Sequence, residues 1–519
     1  MIDRPDVRRV PVLIVGAGPV GLALAAELGR FGVRCLLVEK RDGSVTVPKM
    51  SQVSARAMEF CRRWGIAAKV KGAVWPESRA LDFVYAASLT GAELARVRVP
   101  SYASRRPDDT PEGACHCPQI YFDPILATHV RSLPDVTVRY HTALQSFEDR
   151  GEGVVARLVD EHTGREDSIA VEYLVGCDGP SGVVRDALGS TLDGLGVVAR
   201  SVNVFFRSPE LSSLHDKGWA RFYRLIDGSG CWSELIPIDG RDLWRLTVFD
   251  EPGAPVAADD YLTRMLGATF PHEILSVMRW ERRDYVAGRY GSGRVFIAGD
   301  AAHQCSPTGG LGMHTGIEEA VNLAWKLAAM PGGWGGPALL DSYAAERRPI
   351  AVRNVALATR AFRSIRDIPP LTPEGLAADL ETRLPGLSVP EPIKTHICYE
   401  DSPVCVSDGT EPSPAGRPSS RPGARAPHAW IEEGRSTLDL FDNGLTLLRF
   451  GADAPGLAAA ARQRGVPLRE VAIADEAIAA LYGRKLVLVR PDAHVAWRGD
   501  VDPANPEALI DRVRGAASA

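Results

Sequence analysis

Residues 12–31 read VLIVGAGPVGLALAAELGRF, and this stretch decides the fold. Val12, Leu13, Ile14 and Val15 form an unbroken apolar run, the pattern of a strand buried on both faces of a parallel sheet. The run turns through Gly16-Ala17-Gly18-Pro19-Val20-Gly21 into an alanine-rich helix expected over 20–31. A second apolar run over 33–38 ends in Glu39 and completes a βαβ unit, the opening of a doubly wound sheet. Gly16 permits the tight turn, Gly18 lets backbone approach a pyrophosphate with no Cβ in the way, and Gly21 lets helix pack on strand. The helix start offers free N–H groups and partial positive charge to phosphate. Glu39, 18 residues past Gly21, stands where a carboxylate accepts ribose hydroxyls. The unit reads as an adenine-dinucleotide site, with Lys40 beside it.

A second glycine motif says which dinucleotide. Residues 293–326, GRVFIAGDAAHQCSPTGGLGMHTGIEEAVNLAWK, place Gly299-Asp300 at the end of a buried strand, then a loop from Pro307 to Gly312, then a helix from about Met313. A carboxylate at that strand end can accept hydroxyls of a polyol chain. Nicotinamide cofactors lack such a chain, whereas the ribityl group of FAD supplies one. The amides of Leu311, Gly312 and Met313 at the helix start, with Gly310 before them, suit the pyrimidine edge of a flavin, which is anionic when reduced.

Working outward, 519 residues exceed one hydrophobic core, so two or three domains are expected. A net charge of -5 leaves no electrostatic footprint for nucleic acid. No apolar run reaches the roughly 18 residues that span a bilayer, and residues 1–9 are polar rather than signal-like, which gives a cytoplasmic expectation with no membrane partner. Nine scattered cysteines without a CxxC read as reduced thiols. Cys115-His116-Cys117 is too tightly spaced for zinc, so no metal is expected.

The expected elements are a helix over 51–63, two strands within 80–99, and a helix opened by Asp123-Pro124 as N-cap and first helical residue. Strands over 136–140, 153–159 and 169–173 read as an insertion before the chain returns at Cys177-Asp178-Gly179. Strands over 197–206, 221–226, 231–238 and 243–249 have antiparallel spacing, with a helix near 258–269. Residues 1–79, 100–189 and 291–368 thus compose a discontinuous FAD-binding domain. A substrate-binding sheet takes 80–99 and 190–290, a proline-rich linker 369–427, and a small α/β domain 428–519. Arg221, Tyr223 and Trp232 are the substrate-pocket candidates, with Arg221 and Tyr223 on one face by two-residue periodicity.

GAGPVGLALAAEL, ARAMEF, Gln119 before Asp123, YLVGCDGPSGVVR, GDAAHQCSPTGGLGM, NLAWKLA and DSYAAERRP together resemble the class A flavoprotein aromatic hydroxylases, the single-component FAD monooxygenases that include phenol and polyketide hydroxylases. The tail, with RPDAHVAW, resembles the thioredoxin-like C-terminal domain of the larger members; without CxxC it is expected to pack rather than to do redox chemistry. The resemblance implies a Rossmann-like FAD domain, NADPH or NADH as electron donor, O2 as co-substrate and a small aromatic substrate hydroxylated through a flavin C4a-hydroperoxide. It further implies that Gln119 and Arg56 lie near the flavin, Asp300 at the ribityl chain, Pro307 beside the ring, and Asp178 between the FAD and NADPH sites. A Baeyer-Villiger or epoxidising oxygenase, or a non-catalytic flavin scaffold, remains an alternative; a homodimer is left open. Three positions depart from the family pattern: His314 where asparagine is usual, Glu319 where aspartate is frequent, and Lys49 where arginine is common.

Overall fold

The computed structural model describes residues 8–104, 107–250, 257–368, 389–412 and 414–516. Val12 to Val15 lie at the centre of an eight-stranded sheet in which Val295–Ile297, Glu166–Gly176, Arg8–Val15, Cys35–Val38 and Val136–Arg139 run parallel in that order. Leu13, Ile14 and Leu37 are fully buried, each contributing about 1.5–3 kcal/mol by leaving water. The helix Pro19–Arg30 follows the glycine turn with proline in its first turn, where a missing N–H costs nothing.

Four expectations are corrected here. The strand Val136–Arg139 belongs to the parallel sheet itself, paired to Cys35–Val38 at its edge; one wet side gave it an alternating look. The run at 169–173 is no separate strand but part of Glu166–Gly176, whose first half pairs antiparallel with Val154–Asp160 and whose second half pairs with Val295–Ile297. The helix expected to open at Asp123 begins a turn earlier, as Gln119–Arg131, with Pro124 inside it. Likewise the helix after residue 51 starts at Ala55, capped by Ser54, whose side chain accepts from the Ala57 amide.

The second sheet, also of eight strands, runs His303–Gln304, Glu273–Ala287, Leu192–Arg207, Leu243–Asp250, Gly230–Pro237, Phe222–Asp227, Phe83–Ala86 and Glu93–Val97. One face is covered by the helix Ala258–Leu266, whose Leu262, Met265 and Leu266 pack with Val204, Tyr223, Trp232, Trp244 and Leu246. Gly267 ends that helix in the left-handed region (φ 94°). The opposite face looks toward the first sheet.

The tail forms a four-stranded sheet in the order Leu468–Ala472, Leu445–Arg449, Leu486–Val489, Val495–Gly499, with only the first pair parallel. Helices Pro455–Gln463, Glu476–Tyr482 and Pro506–Val513 complete it. Of the expected linker, 369–388 lies outside the described residues. The remainder is packed rather than free: Val389 touches Leu311 and Ala358, and Arg425 bridges to His494.

Candidate active site

The two glycine motifs meet in space. Gly316, on the helix Gly312–Ala329, could not carry a Cβ, which would lie 2.5 Å from Val20 Cγ2 and 3.0 Å from Gly299 Cα. Gly299, at φ 66°, is itself pressed against Val20. Within the first loop, a Cβ on Gly16 would sit 2.4 Å from the Cys177 carbonyl oxygen and one on Gly21 1.9 Å from that of Gly16, whereas Gly18 faces open space. The backbone is thus closed wherever protein must meet protein and open where a pyrophosphate would lie. Glu39 Oε2 accepts from the Ala17 amide at 2.9 Å and Oε1 from that of Arg41 at 3.0 Å; lone pairs remain for ribose hydroxyls. Lys40 is exposed beside it.

Asp300, just past the end of the strand Val295–Ile297, is exposed, and no hydrogen bond from the protein reaches its carboxylate among the described residues. Desolvation by the surrounding protein still raises its pKa, and His303 and Lys49 pull it back. An unpartnered carboxylate fits a polyol's hydroxyl donors. Beyond it, Gly309 and Gly310 (φ 84° and 63°) lead into the helix Gly312–Ala329, which no side chain caps. Gly310 also borders open space. These features fit FAD: the first loop at the pyrophosphate, Asp300 at the ribityl chain, and the uncapped amides of Leu311 to Met313 at the ring.

His303 and Glu319 stand behind the loop. Burial alone would lower the His303 pKa, but the Glu319 carboxylate 3.3 Å away raises it to about 10. Glu319 Oε2 also accepts from the Gly299 amide at 2.8 Å, so the residue that departs from the usual aspartate holds the Gly299-Asp300 turn. Gln119 Nε2 donates to Asp123 Oδ2 at 2.9 Å. Burial pushes Asp123 up to about 7, against Gln119 and Lys49; Lys49 therefore lies near both Asp123 and Asp300. Asp178 Oδ2 accepts from the Val184 amide at 3.2 Å, with Oδ1 buried and unpartnered.

Arg56 is spent inside the protein, on Glu59 at 2.6 Å and the Asp492 carbonyl at 3.1 Å. The structure places Tyr223 and Trp232, expected as pocket candidates, away from the cleft. Both lie on the helix-covered face, where the Tyr223 hydroxyl donates to the Gly218 carbonyl and Arg264 stacks 3.9 Å over Trp232. Arg221 does not share their face. It precedes the strand that starts at Phe222 and donates to Gln52 Oε1 at 2.7 Å, toward the first sheet.

On that inner face, sequence reasoning missed Arg245 and Arg282. Both are buried, and neither has a carboxylate within 4 Å among the described residues. Arg245 donates to the carbonyls of Pro48 and Lys49. Arg282 donates to Ser201 Oγ at 3.2 Å and, on the flavin loop beside Pro307, to Ser306 Oγ at 3.1 Å. Burial lowers their pKa values to about 10 and about 9. Arg224, by contrast, is neutralised by Glu234 at 3.0 Å. An arginine at an inward strand position was the available signal, but alternation alone does not say which face is inward, and for Arg282 the register shifts between Leu192–Arg207 and Glu273–Ala287 obscure it further.

A flavin-fitting cleft facing an arginine-bearing sheet fits an FAD-dependent enzyme, and comparison with known proteins says of which class. Residues 9–358 match the FAD binding domain family and residues 419–517 the aromatic-ring hydroxylase C-terminal family. The chain belongs to the FAD-dependent aromatic-ring hydroxylases and is a flavoprotein monooxygenase. It is 35% identical to a putative polyketide hydroxylase of Streptomyces halstedii, covering 95% of this chain and 94% of that one. It is 32% identical to tetracenomycin B2 monooxygenase-dioxygenase of Streptomyces olivaceus, covering 97% and 98%. Among solved structures, RebC soaked with chromopyrrolic acid and holding 7-carboxy-K252c superposes with TM-score 0.92 at 39% identity, covering 98% of this chain and all of that one. Aklavinone-11 hydroxylase with FAD and aklavinone superposes at 0.85, with 32% identity, 99% of this chain and all of that one.

Proposed function

We propose that this enzyme hydroxylates a polycyclic aromatic acid, with NADPH or NADH as electron donor and O2 as the oxygen source. The observation that carries the acid is the pair Arg245 and Arg282, two buried guanidiniums with no carboxylate within 4 Å among the described residues, the more distant Glu234 being already paired to Arg224. An unpaired charge in that setting costs several kcal/mol, and a bound anion offsets it. Arg221, bonded to neutral Gln52, adds a third donor. One relative's structure, RebC soaked with chromopyrrolic acid, holds a ligand named as a carboxylate, 7-carboxy-K252c.

In this reading residues 80–99 and 190–290 bind substrate, the discontinuous remainder up to 368 binds FAD, and 428–519 braces the FAD domain. Gly16, Gly18, Pro19, Val20 and Gly21 receive the pyrophosphate and Glu39 the ribose. FAD when bound supplies electron transfer and oxygen activation. The protein's own part is to orient the aromatic ring through the arginines, to exclude water with the inner sheet face, and to present amides at the helix start. Asp178, behind the loop, links the FAD site to the nicotinamide donor. Nine cysteines without a disulfide fit a cytoplasmic location.

The test measures substrate-stimulated NADPH consumption, with H2O2 followed to detect uncoupling, for aromatic acids and their decarboxylated counterparts. The acids are expected to be turned over with KM at least tenfold lower, and Arg282→Met to erase that difference. Equal turnover of neutral analogues would remove the acid from the account.

A further inference from the structure

We propose that His314 is a positioning residue that aims the Leu311 amide at the flavin and so favours the reduced cofactor. The inference rests on the FAD reading of this site. His314 lies in the first turn of Gly312–Ala329, 3% exposed, and both ring nitrogens are bonded to backbone. Nε2 accepts from the Ser54 amide at 3.0 Å, and Nδ1–H donates to the Gly310 carbonyl. The two bonds define one tautomer of a neutral ring. Burial, with Lys394 nearby, lowers its pKa to about 4 against the pull of Glu391, so the ring is neutral at neutral pH.

The consequence lies in the next peptide group. A trans peptide is planar, with C=O and N–H pointing in opposite directions. Holding the Gly310 oxygen on the imidazole therefore turns the Leu311 N–H away from His314, and that N–H has no protein acceptor among the described residues. Gly310, at positive φ with no Cβ, would otherwise let this peptide turn with little steric resistance. The anchor at the other end is firm. Ser54 caps Ala55–Arg63 by accepting from the Ala57 amide at 3.2 Å, and Glu391 Oε1 accepts from the Ala55 amide at 2.7 Å. Neither ring nitrogen is left for the flavin, so His314 acts through the loop rather than by touching the cofactor. A donor fixed in advance where negative charge develops stabilises the reduced ring more than the oxidised one.

The test compares wild type, His314→Ala, His314→Asn and His314→Gln by FAD titration and by flavin midpoint potential in anaerobic dye equilibration. In His314→Ala the ratio of reduced-to-oxidised FAD affinity is expected to fall about tenfold, which for a two-electron couple lowers the potential by about 30 mV. Glutamine, which can accept and donate at once, is expected to restore most of it. The shorter His314→Asn reaches Gly310 but not Ser54; it should fall between, and it serves if the alanine variant does not fold. An unchanged potential in variants that still bind FAD would overturn the role of His314. Failure of the wild type to bind FAD would instead overturn the underlying site.

Discussion

At Gly18 the backbone is extended (φ −70°, ψ 177°) and a Cβ would meet nothing within 4 Å, whereas at Gly21 it would stand 1.9 Å from a carbonyl oxygen. The two glycines therefore fail differently. Gly18→Ala should leave the apoprotein's unfolding midpoint unchanged and weaken FAD binding at least tenfold, because the added methyl occupies cofactor space. Gly21→Ala should cost the apoprotein more than about 2 kcal/mol by denaturant unfolding. Asp123 has a pH signature: its folded pKa, raised by burial to about 7, means the folded state holds a proton the unfolded chain has released. Its contribution is complete below about pH 4 and is lost as pH rises to about 7, by no more than about 4 kcal/mol. Asp123→Asn should flatten stability over that window in unfolding curves at a series of pH values. The glycines were legible in sequence because only glycine meets those backbone demands. Arg245 and Arg282 were not: alternation alone does not say which face of a sheet turns inward, and around Arg282 bulges also shift the register.

The helices Pro19–Arg30 and Gly312–Ala329 touch through Val20, Gly299 and Gly316, which brings the two flavin motifs together. Gly316→Val should push them apart, lowering FAD affinity and thermal stability together, as titration and melting would show. A second joint ties the tail to these helices. Glu346 on Ser342–Arg366 takes Lys326 Nζ at 2.7 Å, Asn322 Nδ2 at 2.7 Å and Arg490 Nη2 at 3.0 Å, all buried. Replacing one partner strands the others, so Arg490→Met should destabilise the holoprotein by about 3–5 kcal/mol. Nearby, Glu59 is opposed by burial but held down to about 2 by Arg425 and Arg56. Its stabilisation is present above about pH 4.5 and is lost as pH falls toward 2, so Glu59→Gln should blunt acid unfolding. The start of Gln119–Arg131 was misread for a local reason: Asp-Pro looks like a cap, yet Pro118 already accepts from the Tyr121 and Phe122 amides.

At the scale of the molecule, the three larger sheets among the described residues divide the work: one carries the dinucleotide motifs, one turns an arginine-bearing face toward them, and one braces the helix that carries the flavin loop. The first was readable from residues 12–39 and 293–326, whose glycine spacing, strand ends and acids are dictated by the cofactor. The arginine-bearing face was not, because it is assembled from strands far apart in sequence whose partners only the fold brings together. No helix among the described residues is long and apolar enough to cross a membrane. The most direct test of the central claim reduces the FAD-loaded enzyme with NADPH in the absence of oxygen, then admits 18O2 with a polycyclic aromatic acid and weighs the product. One 18O atom per product molecule is predicted, with flavin reduction preceding it; a product whose new oxygen comes from water, or a flavin that NADPH cannot reduce, would contradict the account.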